Sequence, residues 1–184
     1  MNNRQDGQGA APRWTLVLAL AGALAGGCAQ WGTSTGSGLV PLASVAPGVQ
    51  QALQGDGSCQ LPRAAARSLA DVQRELQPLG LQLRVHACYP AEPAASQGQG
   101  AVDLALVVLD GVRAREALAG PLADGQDLDL GTPVGLVDPL SATGSGELAP
   151  DVQRNRQWLL QLMQRHGWRN QPQQWWHYTL QAAR

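Results

Sequence analysis

The chain has 184 residues, 44 % of them hydrophobic and 15 % charged, with a formal net charge of −1. That length suits one domain with appendages, and the composition can bury a core instead of remaining disordered. A charge so close to zero, with no clustered basic face, excludes the electrostatic footprint of a nucleic-acid binder. All 13 basic residues are arginines, and lysine, isoleucine and phenylalanine are absent, a skew expected of a GC-rich genome and not of a function. Twenty-two glycines and 12 prolines give loops a large share.

Residues 1–13 are polar and carry Arg4 and Arg13; an apolar run, Trp14 to Leu24, follows. As a helix that run rises roughly 16 Å, too short for a bilayer core of about 30 Å. Its pattern is that of a signal-peptide h-region. It leads into Leu24-Ala25-Gly26-Gly27-Cys28, which resembles a bacterial lipobox, with Ala25 where leucine is usual. The resemblance implies a signal peptide over 1–27 and a lipidated Cys28 as the mature N-terminus. The protein is then exported and anchored to a membrane facing the periplasm, and Ala29 favours the outer membrane. An ordinary cleaved signal and an uncleaved anchor are the alternatives. Residues 28–38 read as a flexible tether, and 39–184 as the folded domain. With Cys28 acylated, Cys59 and Cys88 are the remaining pair. An oxidising compartment permits a disulfide between them, and two buried thiols are the other reading.

Leu39–Leu53, broken by Pro41 and Pro47, reads as an edge strand or extended stretch and not as a helix. Gly55–Ser58 reads as a turn. After Pro62, Leu69, Val72, Leu76 and Leu79 recur at helical spacing and Gly80 supplies a C-cap. Leu81, Leu83 and Val85 alternate with polar residues, which predicts a half-buried strand. A loop over 90–100 precedes Ala101–Leu109, apolar except for Asp103 and therefore a central strand. Asp110-Gly111 predicts a turn, 112–126 an insertion of helical or loop character, Leu128–Pro133 a returning strand and 134–149 a loop. Asp151 is the expected cap of a second helix running to His166, with Val152, Trp158, Leu159, Leu162 and Met163 on its apolar side and Gly167 stopping it. Gln173–Leu180 closes the domain as an aromatic-rich strand. The expected class is α+β: two helices packed on a small, mainly antiparallel sheet.

Several segments, in order, resemble one family. Trp175-Trp176-His177-Tyr178 follows Gly167-Trp168 and the helix N-R-Q-W-L-L-Q-L-M, similar to N-R-x-L-L…M…G-F…E-W-W-H-[FY]. G-A-V-D-L-A-L at 100–106 resembles the end of S-x-H-x-x-G-x-A-x-D-L-T-L. C-Q-L-P-R…L-G-L-Q-L-R-V-H-A-C-Y-P at 59–90 resembles C-L-L-R…G-L-x-L-x-V-x-D-x-Y-R-P, and Asp129-Leu130-Gly131-Thr132-Pro133 resembles D-M-G-T-P. These are segments of the zinc D-alanyl-D-alanine dipeptidases linked with vancomycin resistance, related to zinc D,D-carboxypeptidases. The resemblance covers roughly 39–180. It implies that Ala101–Leu109 and Gln173–Leu180 share a sheet that brings Asp103 and His177 to one cleft.

The resemblance also locates the chemistry, and three parts of it are missing. A catalytic zinc needs three protein ligands and an open position. Asp103 and His177 match two of the family's metal ligands, while Ser96 stands where the third, a histidine, belongs. Gln174 stands where a glutamate takes a proton from the metal-bound water, and an amide has no useful pKa for that task. The arginine that steadies the oxyanion is absent between Tyr89 and Pro90, and Ala87 replaces the preceding aspartate. The family's substrate-side loop is absent too, since only a short turn separates Leu53 from Cys59.

Blander readings stand beside these. Asp103 alone reads as a buried, hydrogen-bonded aspartate, and His177 as a core histidine donating to a backbone carbonyl. His86 reads as a residue on the exposed strand face, with a substitute ligand as the sharper alternative. His166 reads as a helix C-terminal residue favoured by the macrodipole, and Trp175 and Trp176 as packing. The expectation is an exported, catalytically inactive lipoprotein with the peptidase fold, in which zinc is weakly bound or absent. It acts by binding a peptidoglycan peptide end or a protein partner. The alternatives are an active zinc D-alanyl-D-alanine dipeptidase with an unusual site, and a structural lipoprotein that has kept only the scaffold.

Overall fold

The computed structural model describes residues 38–55, 57–90 and 99–181. The expected signal peptide, Cys28, the expected tether up to residue 37 and Ser96 lie outside the described residues. No helix among the described residues is long and apolar enough to cross a membrane.

The chain is α+β. A two-stranded antiparallel ribbon joins β1 (Leu39–Pro41) to β3 (Gln60–Pro62). A five-stranded sheet is built from β2 (Gln50–Gln51), β4 (Leu81–Pro90), β5 (Gly100–Val108), β6 (Trp168–Gln171) and β7 (Gln174–Leu180), in the order β2-β4-β5-β7-β6. Of its pairings only β2–β4 is parallel. Two long helices, α2 (Arg63–Leu76) and α4 (Pro150–Arg165), accompany the one-turn helices α1 (Leu42–Val45) and α3 (Gly111–Ala114).

Helix α2 forms where the apolar period demands it, burying Ala65, Ala66, Leu69, Val72 and Leu76 in one stripe. A turn of 3₁₀ helix carries it to Gly80, whose φ of +67° ends it. A β-carbon on Gly80 would stand 2.7 Å from that of Asp110, so this crossing of the chain admits only glycine. The stripe packs on Leu81, Leu83 and Val85 of β4 and on Val102, Leu104 and Leu106 of β5, all fully buried. Each such side chain contributes about 2 kcal/mol by leaving water. Strand β5 is apolar on both faces because both are covered. The alternate residues Ala105 and Val107 are buried as well, and the segment 126–128 runs along the edge of β5, bonded through Val108 N–H to Gln126 O and Leu128 N–H to Leu106 O.

Several expectations need correction or addition. Residues 42–45 do form a helical turn, because Pro41 precedes it and Pro47 follows it, leaving room for one turn between them. At Asp110-Gly111 the chain does turn, and it turns into a helix: the Asp110 carboxylate accepts from the Val112 and Arg113 N–H groups and caps α3. Leu128–Pro133 builds no strand: only Asp127 bridges Val107, and the chain then turns away at Asp129, whose carboxylate accepts from Gly131 N–H. Asp151 is not the cap of α4, which starts with Ala149 at the cap and Pro150 in the first turn. Strand β6 was not expected. Gly167, with φ +82°, turns the chain straight from α4 into it.

Candidate functional site

The central feature is a register. Antiparallel pairing of β5 with β7 sets Ala101 against Thr179, Val102 against Tyr178 and Asp103 against His177. The last pair meets through side chains: His177 Nδ1 lies 2.7 Å from Asp103 Oδ1. From β4, the Tyr89 hydroxyl donates to Asp103 Oδ2 at 2.8 Å, and its ring stands 5.5 Å from the imidazole. Asp103 is 9 % exposed, so its carboxylate needs partners, and it has one on each oxygen. Burial, reinforced by the bond to Asp103, pushes the Tyr89 phenol up to about 12.

Two irregularities flank this cluster. On β4 the register slips between Val85 and Ala87, which makes His86 the extra residue of a β-bulge opposite Leu104 and Asp103. On β7 the pairing with β6 slips between Asn170 and Gln171, and Asn170 Nδ2 reaches the carbonyls of Gln174, Trp175 and His177. The Asn170 amide thus satisfies the carbonyls that the slipped ladder releases.

Two hollows adjoin at His86 and Val134. One, of about 520 Å³, is bounded by Ser58, the Cys59–Cys88 disulfide, Tyr89 and Asp103. The other, of about 510 Å³, runs under the loop 127–134 to Trp175. His86 is half-buried and not exposed as expected; its Nε2 is buried with no partner among the described residues. Burial lowers its pKa, with the Asp127 and Asp103 charges opposing and Arg84 reinforcing that shift. Arg84, on the same strand, pairs with Asp127.

Arg156 shapes the loop. It is 1 % exposed, and its guanidinium donates to the carbonyls of Leu130, Leu140 and Ala142, each at 2.7 Å. Burial lowers its pKa to about 10, so it stays cationic at neutral pH. The Trp175 indole donates to Thr132 at 2.9 Å and lies beside the Arg156 guanidinium. Asn155 clamps Ala119 through both its amide atoms. The Asn-Arg pair of α4 was legible only as part of a motif; its work is to hold two loops onto the helix. A polar pair amid an apolar helical period was the signal that could have found it.

The structure brings together Asp103 and His177, and adds Tyr89, which sequence reasoning used only to mark a missing arginine. Cys59 and Cys88 are bridged, with Cα atoms 5.5 Å apart. His177 spends Nδ1 on Asp103 and not on a backbone carbonyl. Gln174 is half-buried at the start of β7, and no hydrogen bond among the described residues links its side chain to Asp103 or His177. His166 caps α4 and bonds Glu75, while Trp175 and Trp176 pack edge to face.

A catalytic zinc is a poor fit to these residues. No group of three His, Cys, Asp or Glu side chains among the described residues could hold an ion. The two candidate ligands are moreover engaged with each other, and the remaining carboxylate oxygen is taken by Tyr89. What the cluster can do is hold the Asp103 carboxylate fixed at the edge of a hollow, between the Tyr89 hydroxyl and the His177 imidazole. Compared with protein-family models and with curated proteins, the chain matches none.

Proposed function

We propose that the chain is a degenerate relative of the zinc D-alanyl-D-alanine dipeptidases, an exported lipoprotein that binds a peptidoglycan peptide end without hydrolysing it. The observation that carries this reading is the Asp103–His177 pairing across β5 and β7, the juxtaposition the resemblance implies. The hollow beside that pair is large enough for a dipeptide end. Against hydrolysis stand Gln174, which offers no base, and the engagement of Asp103 with His177 and Tyr89.

The test combines metal content, release of D-alanine from D-Ala-D-Ala, and calorimetric titration with muropeptides ending in D-Ala-D-Ala. Muropeptide binding without turnover or stoichiometric zinc is the expected result. Zinc-dependent turnover, abolished by chelator and by His177→Ala, would establish the active dipeptidase instead. Neither binding nor turnover would leave the scaffold reading. Anchoring is tested separately by palmitate labelling: an unmodified Cys28 or an intact Met1 terminus in the exported protein overturns it.

A further inference from the structure

Strand β6 ends the five-stranded sheet and, among the described residues, pairs only with β7. Its outer edge has no strand partner among the described residues, with Thr143 N–H bonding the Pro172 carbonyl just past the end of the strand, and such an edge is one to which an extended chain adds. Two adjoining hollows, of about 580 and 260 Å³, lie along this side and share Thr143, Gly144 and Gln157. The smaller sets Arg169 and Asn170 of β6 against Leu160 and Gln164 of α4, and the larger continues to Arg154. The result is a groove between an edge strand and a helix.

Its chemistry is one-sided. No carboxylate lines either hollow. Arg154 and Arg169 are exposed and form no ion pair among the described residues. Along α4, Gln153, Gln157, Leu160 and Gln164 recur at i, i+4, i+7 and i+11, a single stripe. That stripe is roughly 16 Å long, the span of about five extended residues. Side-chain amides along it offer both donors and acceptors, as a polypeptide requires. Arg169 on the edge repels a basic strand and admits an acidic one.

We propose that this groove is a docking surface for an acidic, extended segment of a partner protein. The segment adds to the outer edge of β6, turning the carboxylates of one face toward Arg154 and Arg169 on the α4 side of the groove and its other side chains to the opposite face. This surface is separate from the Asp103–His177 cluster, and its test does not depend on muropeptide binding.

The test uses the full chain and a fluorescent peptide of alternating valine and glutamate, with a valine–lysine peptide as control. Saturable anisotropy is expected with the acidic peptide alone, together with slowed amide exchange at residues 168–171. Reversing both charges, Arg154→Glu with Arg169→Glu, weakens that binding about tenfold or more and admits the lysine peptide. Both sites are exposed, and circular dichroism checks that the variant folds; the milder Arg154→Gln with Arg169→Gln serves if it does not. Absence of saturable binding overturns the proposal, as does equal binding of both peptides. So does binding that leaves exchange at 168–171 unchanged, the outcome expected of an anion that sits on the arginines without extending the sheet.

Discussion

At the scale of single residues, Asp103 holds two partners with one carboxylate, so its neutral isostere is an informative probe. Asn at this position has one acceptor oxygen and a donor amide, and the amide faces either the Tyr89 hydroxyl or the His177 ring. One buried polar contact is therefore lost, and Asp103→Asn is expected to cost about 1–3 kcal/mol in urea unfolding with an unchanged m-value. A loss within error would mean that neither bond contributes. Arg156 is the second such residue. Three carbonyls depend on its planar fork, and an ammonium cannot reach all of them from the same helix position. Arg156→Lys is expected to cost about 3–5 kcal/mol, the range for breaking a buried charged network. The lost order should appear as faster amide exchange over 130–142 while β5 stays protected. Uniform loss of protection would show that the loop and the sheet open together.

Elements were legible in proportion to how much of their reason is local. The period of Leu69, Val72 and Leu76 predicted α2, and the alternation of Leu81, Leu83 and Val85 predicted β4. Strand β6 was not legible, since Trp168-Arg169-Asn170-Gln171 has one apolar side chain and exists as a strand through its pairing with β7. Residues 128–133 failed for the converse reason: their spacing suits a strand, yet the Asx turn at Asp129 and the grip of Arg156 claim the same backbone. Between elements, the Cys59–Cys88 bridge closes a loop worth roughly 3–4 kcal/mol by chain entropy. A second link joins α2 to the end of α4, where Glu75 bonds His166 Nε2 at 2.8 Å and Arg165 at 2.5 Å. The His166 bond, then Arg165, hold the Glu75 carboxyl below its usual value of 4.5. A carboxylate with a depressed folded pKa stabilises above its unfolded pKa, and that contribution disappears as pH falls through the folded value. Glu75→Gln should thus cost about 0.5–1 kcal/mol near neutrality, as surface pairs do, and nothing below the folded pKa. Parallel denaturation curves at every pH would refute the link.

For the whole molecule, the part of the site that sequence made legible is the part that strands carry. Asp103 and His177 sit inside periodic segments, so their meeting follows once β5 and β7 pair in register. Tyr89 was not legible as a site residue and His86 only as a secondary alternative, because a tertiary hydrogen bond enlists the one and a bulge aims the other. The proposed loss of catalysis is likewise a property of the whole, distributed over three segments with three separate tasks. By the resemblance, Ser96 would stand in place of a metal ligand and Gln174 in place of a base, and Tyr89-Pro90 would lack the intervening cation. A general base alone accounts for about 10²–10⁴ in rate, so on the proposed reading, in which the third metal ligand is missing, restoring the base alone restores nothing measurable. Gln174→Glu alone and Ser96→His alone are therefore expected to show no release of D-alanine from D-Ala-D-Ala. Ser96→His should raise zinc content first, because ligand number governs affinity before any chemistry occurs. Turnover is expected only when both substitutions are combined, and in full only with an arginine inserted after Tyr89. Turnover from Gln174→Glu alone would mean that the chain already holds a working metal centre, and the binding-protein reading would then fall.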